Sequence, residues 1–126
     1  MKLAQIALWT RDLDGAAAFW QAFFGATVSE PYRSARRPGF VSRFAVLSGG
    51  LQIELMTGPW LGAEPDTERQ GWDHVALSLG SAEAVDAMAA RCRDAHCLVS
   101  GPRCTDDGFY EAVLAMPDGT KIEITA

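Results

Sequence analysis

Two glutamates in matching frames suggest where chemistry could sit. Glu54 lies in "QIEL" (52–55) and Glu123 in "KIEI" (121–124), each flanked by bulky aliphatics. Each has a polar companion at the same distance upstream: Gln5 precedes Glu54 by 49 residues, and His74 precedes Glu123 by 49. Taken singly, a strand glutamate or a histidine near a strand start is an ordinary solvated group. Taken together, one amide oxygen, one imidazole and two carboxylates form an O/N donor set suited to zinc, nickel, cobalt, manganese or ferrous iron. Four protein donors that leave positions open for water or substrate describe a catalytic centre rather than a closed structural one.

Such a set needs elements that bring it to one face, and the equal spacing predicts a duplication that supplies them. "AQIALWT" (4–10) aligns with "DHVALSL" (73–79), placing Gln5 on His74, and both alternate as half-buried strands do. A helix follows each. The first opens at Asp12 as N-cap, closes at Gly25, and offers Ala16, Phe19, Trp20, Phe23 and Phe24 as an apolar face. The second opens at Ser81, carries Val85, Met88, Ala89 and Cys92 on one side, and ends at Ala95-His96-Cys97 without a glycine. His96 reads as an exposed helix-end residue. Hairpins then span 44–56 and 111–125, turning at Gly49-Gly50 and at Pro117-Asp118-Gly119. The expected architecture is α+β, a tandem of βαβββ modules in a single domain: module one 1–57, a linker at 58–72, module two 73–126. Alternation sets Ile6, Leu8, Ile53, Leu55, Val75, Leu77, Ile122 and Ile124 under the helices. Gln5, Glu54, His74 and Glu123 then share the opposite, concave side.

Composition narrows the partners. With 126 residues, 48% of them apolar, the chain can bury a core, and a net charge of −5 disfavours nucleic acid and anionic membrane. "MKLAQIALWT" turns polar at Thr10, Arg11 and Asp12, too early for a secretion signal, and no apolar run of spanning length follows. Cys92, Cys97 and Cys104 are odd in number and lack CxxC spacing, as expected of reduced thiols in a cytoplasmic protein. A small molecule is the expected partner.

The stretches "QIALWTRDLDGAAAFWQAFFGA", "IEL", "WDHVALSL" and "GFYEAVLAMPDGTKIEI" resemble the vicinal oxygen chelate superfamily of glyoxalase I, bleomycin-resistance proteins and extradiol dioxygenases. The resemblance implies paired βαβββ modules closing a half-open, eight-stranded barrel around one metal, usually in a homodimer. It implies that Gln5, Glu54, His74 and Glu123 are the metal ligands, with glutamine first as in zinc-type glyoxalase I. Glu123 would be the catalytic base, with Glu54 second, in a lyase or isomerase reaction of lactoylglutathione lyase type passing through an enediolate. Methylmalonyl-CoA epimerase-like proteins share that chemistry. Extradiol dioxygenases and fosfomycin thiol transferases carry histidine where this chain has Gln5. Trp9, Gly58 and Gln70 stand where animal-type glyoxalase I has arginine, asparagine and arginine to grip glutathione, which disfavours a glutathione thiohemiacetal substrate. The alternative from another class is a metal-free small-molecule or antibiotic binder of the bleomycin-resistance type.

Further residues could touch a substrate. Arg33, Arg36, Arg37 and Arg43 concentrate in "EPYRSARRPGFVSR" (30–43), either as a solvated loop or as an anion clamp. Trp9, Phe44, Met56, Trp60, Phe109 and Tyr110 could line an apolar pocket. The expected substrate contacts are Trp9, Arg33, Arg36, Arg37, Met56 and Tyr110, with Trp9 foremost because it shares the face of Gln5.

Overall fold

Each half of the chain opens with a short alternating strand whose single apolar side cannot be buried without a cover. The helix that follows supplies it. In the computed structural model, which describes residues 3–62, 74–106 and 108–126, this solution is used twice. Two compact units divide the chain at Glu64 and Pro65. Of the linker expected at 58–72, residues 63–72 lie outside the described residues, Gln70 among them.

The first unit runs β1 (Gln5–Trp9), α1 (Leu13–Phe24), β2 (Thr27–Val28), β3 (Tyr32–Arg33), β4 (Val41–Val46) and β5 (Gln52–Thr57). Its sheet has the order β1-β5-β4-β2, with β3 also on β4. The outer pair β1/β5 is parallel, Ala7 facing Glu54, while β4/β5 is an antiparallel hairpin. Ala16, Ala17, Phe19 and Trp20 of α1 are buried, as are Ile53 and Leu55 of β5. Trp20 lies 4.8 Å from Phe24, ring to ring. Burying side chains of this size contributes about 1.5–3 kcal/mol each, against which the entropy of ordering them acts.

The second unit repeats the plan with β6 (Val75–Ser78), α2 (Ala82–Asp94), β7 (Leu98–Cys104), β8 (Tyr110–Ala115) and β9 (Lys121–Thr125), ordered β6-β9-β8-β7. Again the outer pair is parallel, with Ala76 facing Glu123. Val85, Met88, Ala89 and Cys92 of α2 are buried with Leu114, Ile122 and Ile124 of the sheet. The hairpins match residue for residue: Leu47 N–H bonds Leu51 O at 2.9 Å, and Met116 N–H bonds Thr120 O at 2.9 Å. Among the described residues no helix is long and apolar enough to cross a membrane.

Among the described residues, nine strand segments therefore fill eight strand positions. The extra one arises because β2 and β3 are halves of one edge strand on β4. Ser29 Oγ accepts from Phe44 N–H at 2.9 Å, and pairing then lapses at Glu30-Pro31, where proline has no N–H to give. It resumes one residue out of register, Tyr32 opposite Ser42 instead of the partner that Val28↔Ala45 would set. The equivalent strand, β7, stays continuous but shifts register twice against β8.

The helix ends follow local chemistry. Asp12 and Ser81 cap α1 and α2, accepting from Gly15 N–H at 2.8 Å and Ala84 N–H at 3.2 Å. Gly25 ends α1 in the left-handed region at φ 63°, and the missing glycine after α2 is replaced by His96 at φ 59°. Cys97 N–H bonds Cys92 O and His96 N–H bonds Arg93 O, so His96 occupies the turn position that glycine favours. Because the His96 side chain is exposed, His96→Gly relieves the steric strain and sacrifices little packing. We expect it to stabilise the protein by roughly 1 kcal/mol in urea denaturation, and Gly25→Ala to destabilise by a similar amount.

Candidate functional site

The parallel outer pair of each unit decides which side chains meet. In β6/β9, Ala76 sits opposite Glu123, so His74, two residues earlier on the same face, is its diagonal neighbour. His74 Nε2 lies 3.3 Å from Glu123 Oε2, with the side chains 40% and 16% exposed. In β1/β5, Ala7 sits opposite Glu54, and Gln5 holds the same diagonal place that His74 holds beside Glu123. Both glutamates thus face an alanine, whose small side chain leaves room above the sheet for a further atom or group.

A third carboxylate, which sequence reasoning missed, completes this face of the second unit. Glu111 of β8 is two residues from Val113, the partner of Glu123, and therefore points the same way. It is only 6% exposed and is held by Arg103 of β7, Nη2 donating to Oε1 at 3.1 Å. The clue lies in "FYEAVLAM" (109–116), where Glu111 and Val113 alternate with the aliphatics that pack under α2. A cleft of about 240 Å³ opens over this face, lined by His74, Val99, Ser100, Arg103, Val113, Lys121 and Glu123.

Charge is strained here. Burial pushes the Glu123 carboxyl above its ordinary range, and the nearby Glu111 carboxylate pushes it further, while His74 and Arg103 pull it back. A cation would remove that conflict. Among the described residues no three His, Cys, Asp or Glu side chains are grouped to hold a metal. His74 and Glu123 offer two donor side chains, and a metal there would need further ones.

The expected substrate residues divide. Trp9 pairs with Met56 at the end of β1/β5, both on the face of Glu54. Arg37, from the loop before β4, lies over Trp9 with its Cζ 5.4 Å from the ring centroid. Arg33 pairs with Val41 and so falls on the face of Leu55, away from Glu54. Arg36 is exposed. Arg43, opposite Leu55, is structural: its Nε donates to Ser29 O at 2.9 Å and its Nη1 meets Asp14 of α1 at 3.3 Å. Tyr110 is turned to the helix side, since the neighbouring Glu111 takes the cleft face. Its hydroxyl donates to Asp86 of α2 at 2.6 Å, away from Glu123.

Comparison with known proteins agrees in kind. Residues 2–124 match the profile of the glyoxalase/bleomycin resistance protein/dioxygenase superfamily. An uncharacterised protein of Pseudomonas aeruginosa is 30% identical over 98% of this chain and 86% of its own length. A glyoxylase/bleomycin resistance protein/dioxygenase domain from Frankia superposes with a TM-score of 0.86 at 21% identity, covering 99% of this chain and 96% of that one. A mutant of the fosfomycin resistance protein FosX from Listeria monocytogenes, complexed with Mn(II) and 1S,2S-dihydroxypropylphosphonic acid, gives 0.73 at 22%, covering 99% and 91%.

The strained carboxyl makes a pH-dependent difference measurable in chelator-treated protein. A carboxyl whose folded pKa is raised adds stability below its unfolded pKa and loses that stability as pH rises through the folded value. Glu123→Gln cannot ionise, so it should melt above the wild type at pH 7–8. The gap should close as pH falls toward about 4, where unfolded carboxyls take up protons. A gap that stays constant with pH would show that the Glu123 charge is not under strain.

Proposed function

This chain belongs to the glyoxalase/bleomycin resistance protein/dioxygenase superfamily, and within it we propose a metal-dependent, glyoxalase-like isomerase or lyase acting on a small molecule with adjacent oxygens. The observation that carries the reading is the His74–Glu123 pair, with the buried Glu111 carboxylate beside it. Gln5 and Glu54 are the register equivalents of that pair, and we take all four as ligands of one divalent cation. Zinc suits the amide, imidazole and carboxylate donors best, and Mn(II), held by the FosX relative, is the next ion to try. Bound there, such an ion supplies Lewis acidity to two neighbouring substrate oxygens and acidifies a proton on the carbon beside a carbonyl.

The residues of the chain do the rest. His74 binds as neutral imidazole, with Nε2 on the side of Glu123. Gln5 contributes an uncharged amide oxygen, keeping the shell one negative charge poorer than a third carboxylate would. Glu123, paired with His74 and lining the cleft, takes the substrate proton as general base. Glu54, half-buried at the corresponding place, is the second candidate for that proton. Arg103 holds Glu111 in position behind Glu123.

Elemental analysis of protein purified without chelator tests this directly. The expected result is about one divalent ion for each Gln5–Glu54–His74–Glu123 set, lost or greatly weakened in His74→Ala and Glu54→Ala. Against an enolisable substrate, Glu123→Gln should lower kcat by roughly 10²–10⁴-fold, as loss of a general base does. Protein that carries no metal and takes up none on titration would leave the alternative, a metal-free small-molecule binder.

A further inference from the structure

Beyond Glu54, beside Trp9 of the first unit, three rings flank the guanidinium of the exposed Arg37. Trp9 meets Phe40 and Trp60 edge-on, with ring centroids 6.0 and 6.1 Å apart. The Arg37 Cζ lies 4.1 Å from the Trp60 centroid, 5.4 Å from Trp9 and 5.8 Å from Phe40. A cation so placed over aromatic faces is held by the ring quadrupoles, worth roughly 0.5–1 kcal/mol per exposed contact.

The box is built rather than accidental. The loop carrying Arg37 is closed at both ends: Arg37 N–H bonds Ser34 Oγ at 3.1 Å, Phe40 N–H bonds Arg37 O at 3.0 Å, and Ser34 N–H bonds Phe40 O at 3.2 Å. Trp60 folds back until its indole lies against Gly58, so close that a Cβ at Gly58 would overlap the ring. Pro59 packs against Gly39 in the same way, a Cβ there falling 2.7 Å from the proline ring. At Gly58 the backbone leaves room for the Trp60 ring to close on Arg37. Even so, Trp9 and Trp60 remain 40% and 42% exposed, open to an incoming molecule.

Stacking uses the faces of a guanidinium and leaves its edge, where the N–H donors lie in a planar fork. Among the described residues no carboxylate pairs with Arg37, whereas Arg43 and Arg103 each meet one. We propose that Arg37, immobilised by Trp9, Phe40 and Trp60, is the specificity-determining group of the site, and that the substrate carries an oxyanion that the Arg37 fork binds. The rings remove in advance the rotamer entropy that a free arginine would lose on binding. Trp9 is two residues from Ala7, the partner of Glu54, about 7 Å along the strand. An oxyanion on the fork would therefore sit within a small molecule's length of Glu54. The assignment rests on the proposed role of the Glu54 face in receiving substrate.

Tryptophan fluorescence tests it, because two walls of the box are indoles. Chelator-treated protein is titrated with mandelate, a carboxylate with an adjacent oxygen, with its neutral amide mandelamide, and with inorganic phosphate. Saturable quenching by mandelate but not mandelamide is expected. A response to phosphate as well would mark a general oxyanion site, and its absence a carboxylate-selective one. Arg37→Gln should weaken mandelate roughly tenfold or more, as loss of a charge-assisted fork does, while Arg93→Gln, at an exposed position of α2, leaves it unchanged. Gly58→Ala should also weaken it, with no change in charge, by displacing Trp60. Equal responses to acid and amide, or an Arg37→Gln titration that matches wild type, would overturn the assignment. Metal content is read on the same preparations before chelator treatment, so that loss of the metal reading and loss of the Arg37 assignment register separately.

Discussion

The parallel pairing of the first and last strand of each unit is the constraint on which the rest depends. A parallel pair cannot be closed by a tight turn, so the chain must cross over the sheet, and the crossover helix is what buries the aliphatic face. Once Ile53, Leu55, Ile122 and Ile124 are committed to that face, alternation leaves Glu54 and Glu123 no choice of side. The alanines opposite them, Ala7 and Ala76, keep the outer strand from closing over the carboxylates. One geometric decision therefore fixes core, cover and site together. A register slip of one residue would bury the glutamates and expose the isoleucines, a cost large enough to hold the register firmly.

Much of this is legible in the sequence because it depends on short-range periodicity. The duplicated spacing, the Asp12 and Ser81 caps and the face of each strand all follow from alternation and local hydrogen bonding. What the sequence hides depends on contacts between distant segments. Pro31 interrupts an edge strand that resumes one residue out of register, which only the pairing with β4 reveals. Tyr110 reads as a pocket residue among its aromatic neighbours, but α2 brings Asp86 to its hydroxyl on the other side. Glu111 is hidden because a buried carboxylate is improbable until Arg103, eight residues back and across a bulged ladder, is known to meet it.

The two units treat their polar faces differently despite the shared plan. The second gathers charge: Glu111 and Glu123 share a face with His74, Arg103 and Lys121. That arrangement holds a carboxyl under strain, which gives up stability. The first gathers aromatic surface instead and brings its positive charge from a loop. Two faces built on one repeated pattern have thus diverged, the second in buried carboxylate and the first in aromatic surface.

That divergence bears on the departures from animal-type glyoxalase I. The position four residues after the first ligand carries an arginine in that enzyme, as the family resemblance implies, and here it carries Trp9. A tryptophan cannot bind an anion, yet it can hold a guanidinium supplied from elsewhere, and Arg37 lies over it. The positive charge is therefore moved rather than lost, from a strand side chain to a loop side chain resting on that strand. A fork anchored through Trp60 and Gly58 approaches the Glu54 face from the end of the sheet, so it meets a different part of an incoming molecule. The proposed metal-binding positions and the proposed anion-binding group would then be independent features of the chain. Retaining the first while relocating the second is a physical route by which one reaction type could pass to a new substrate.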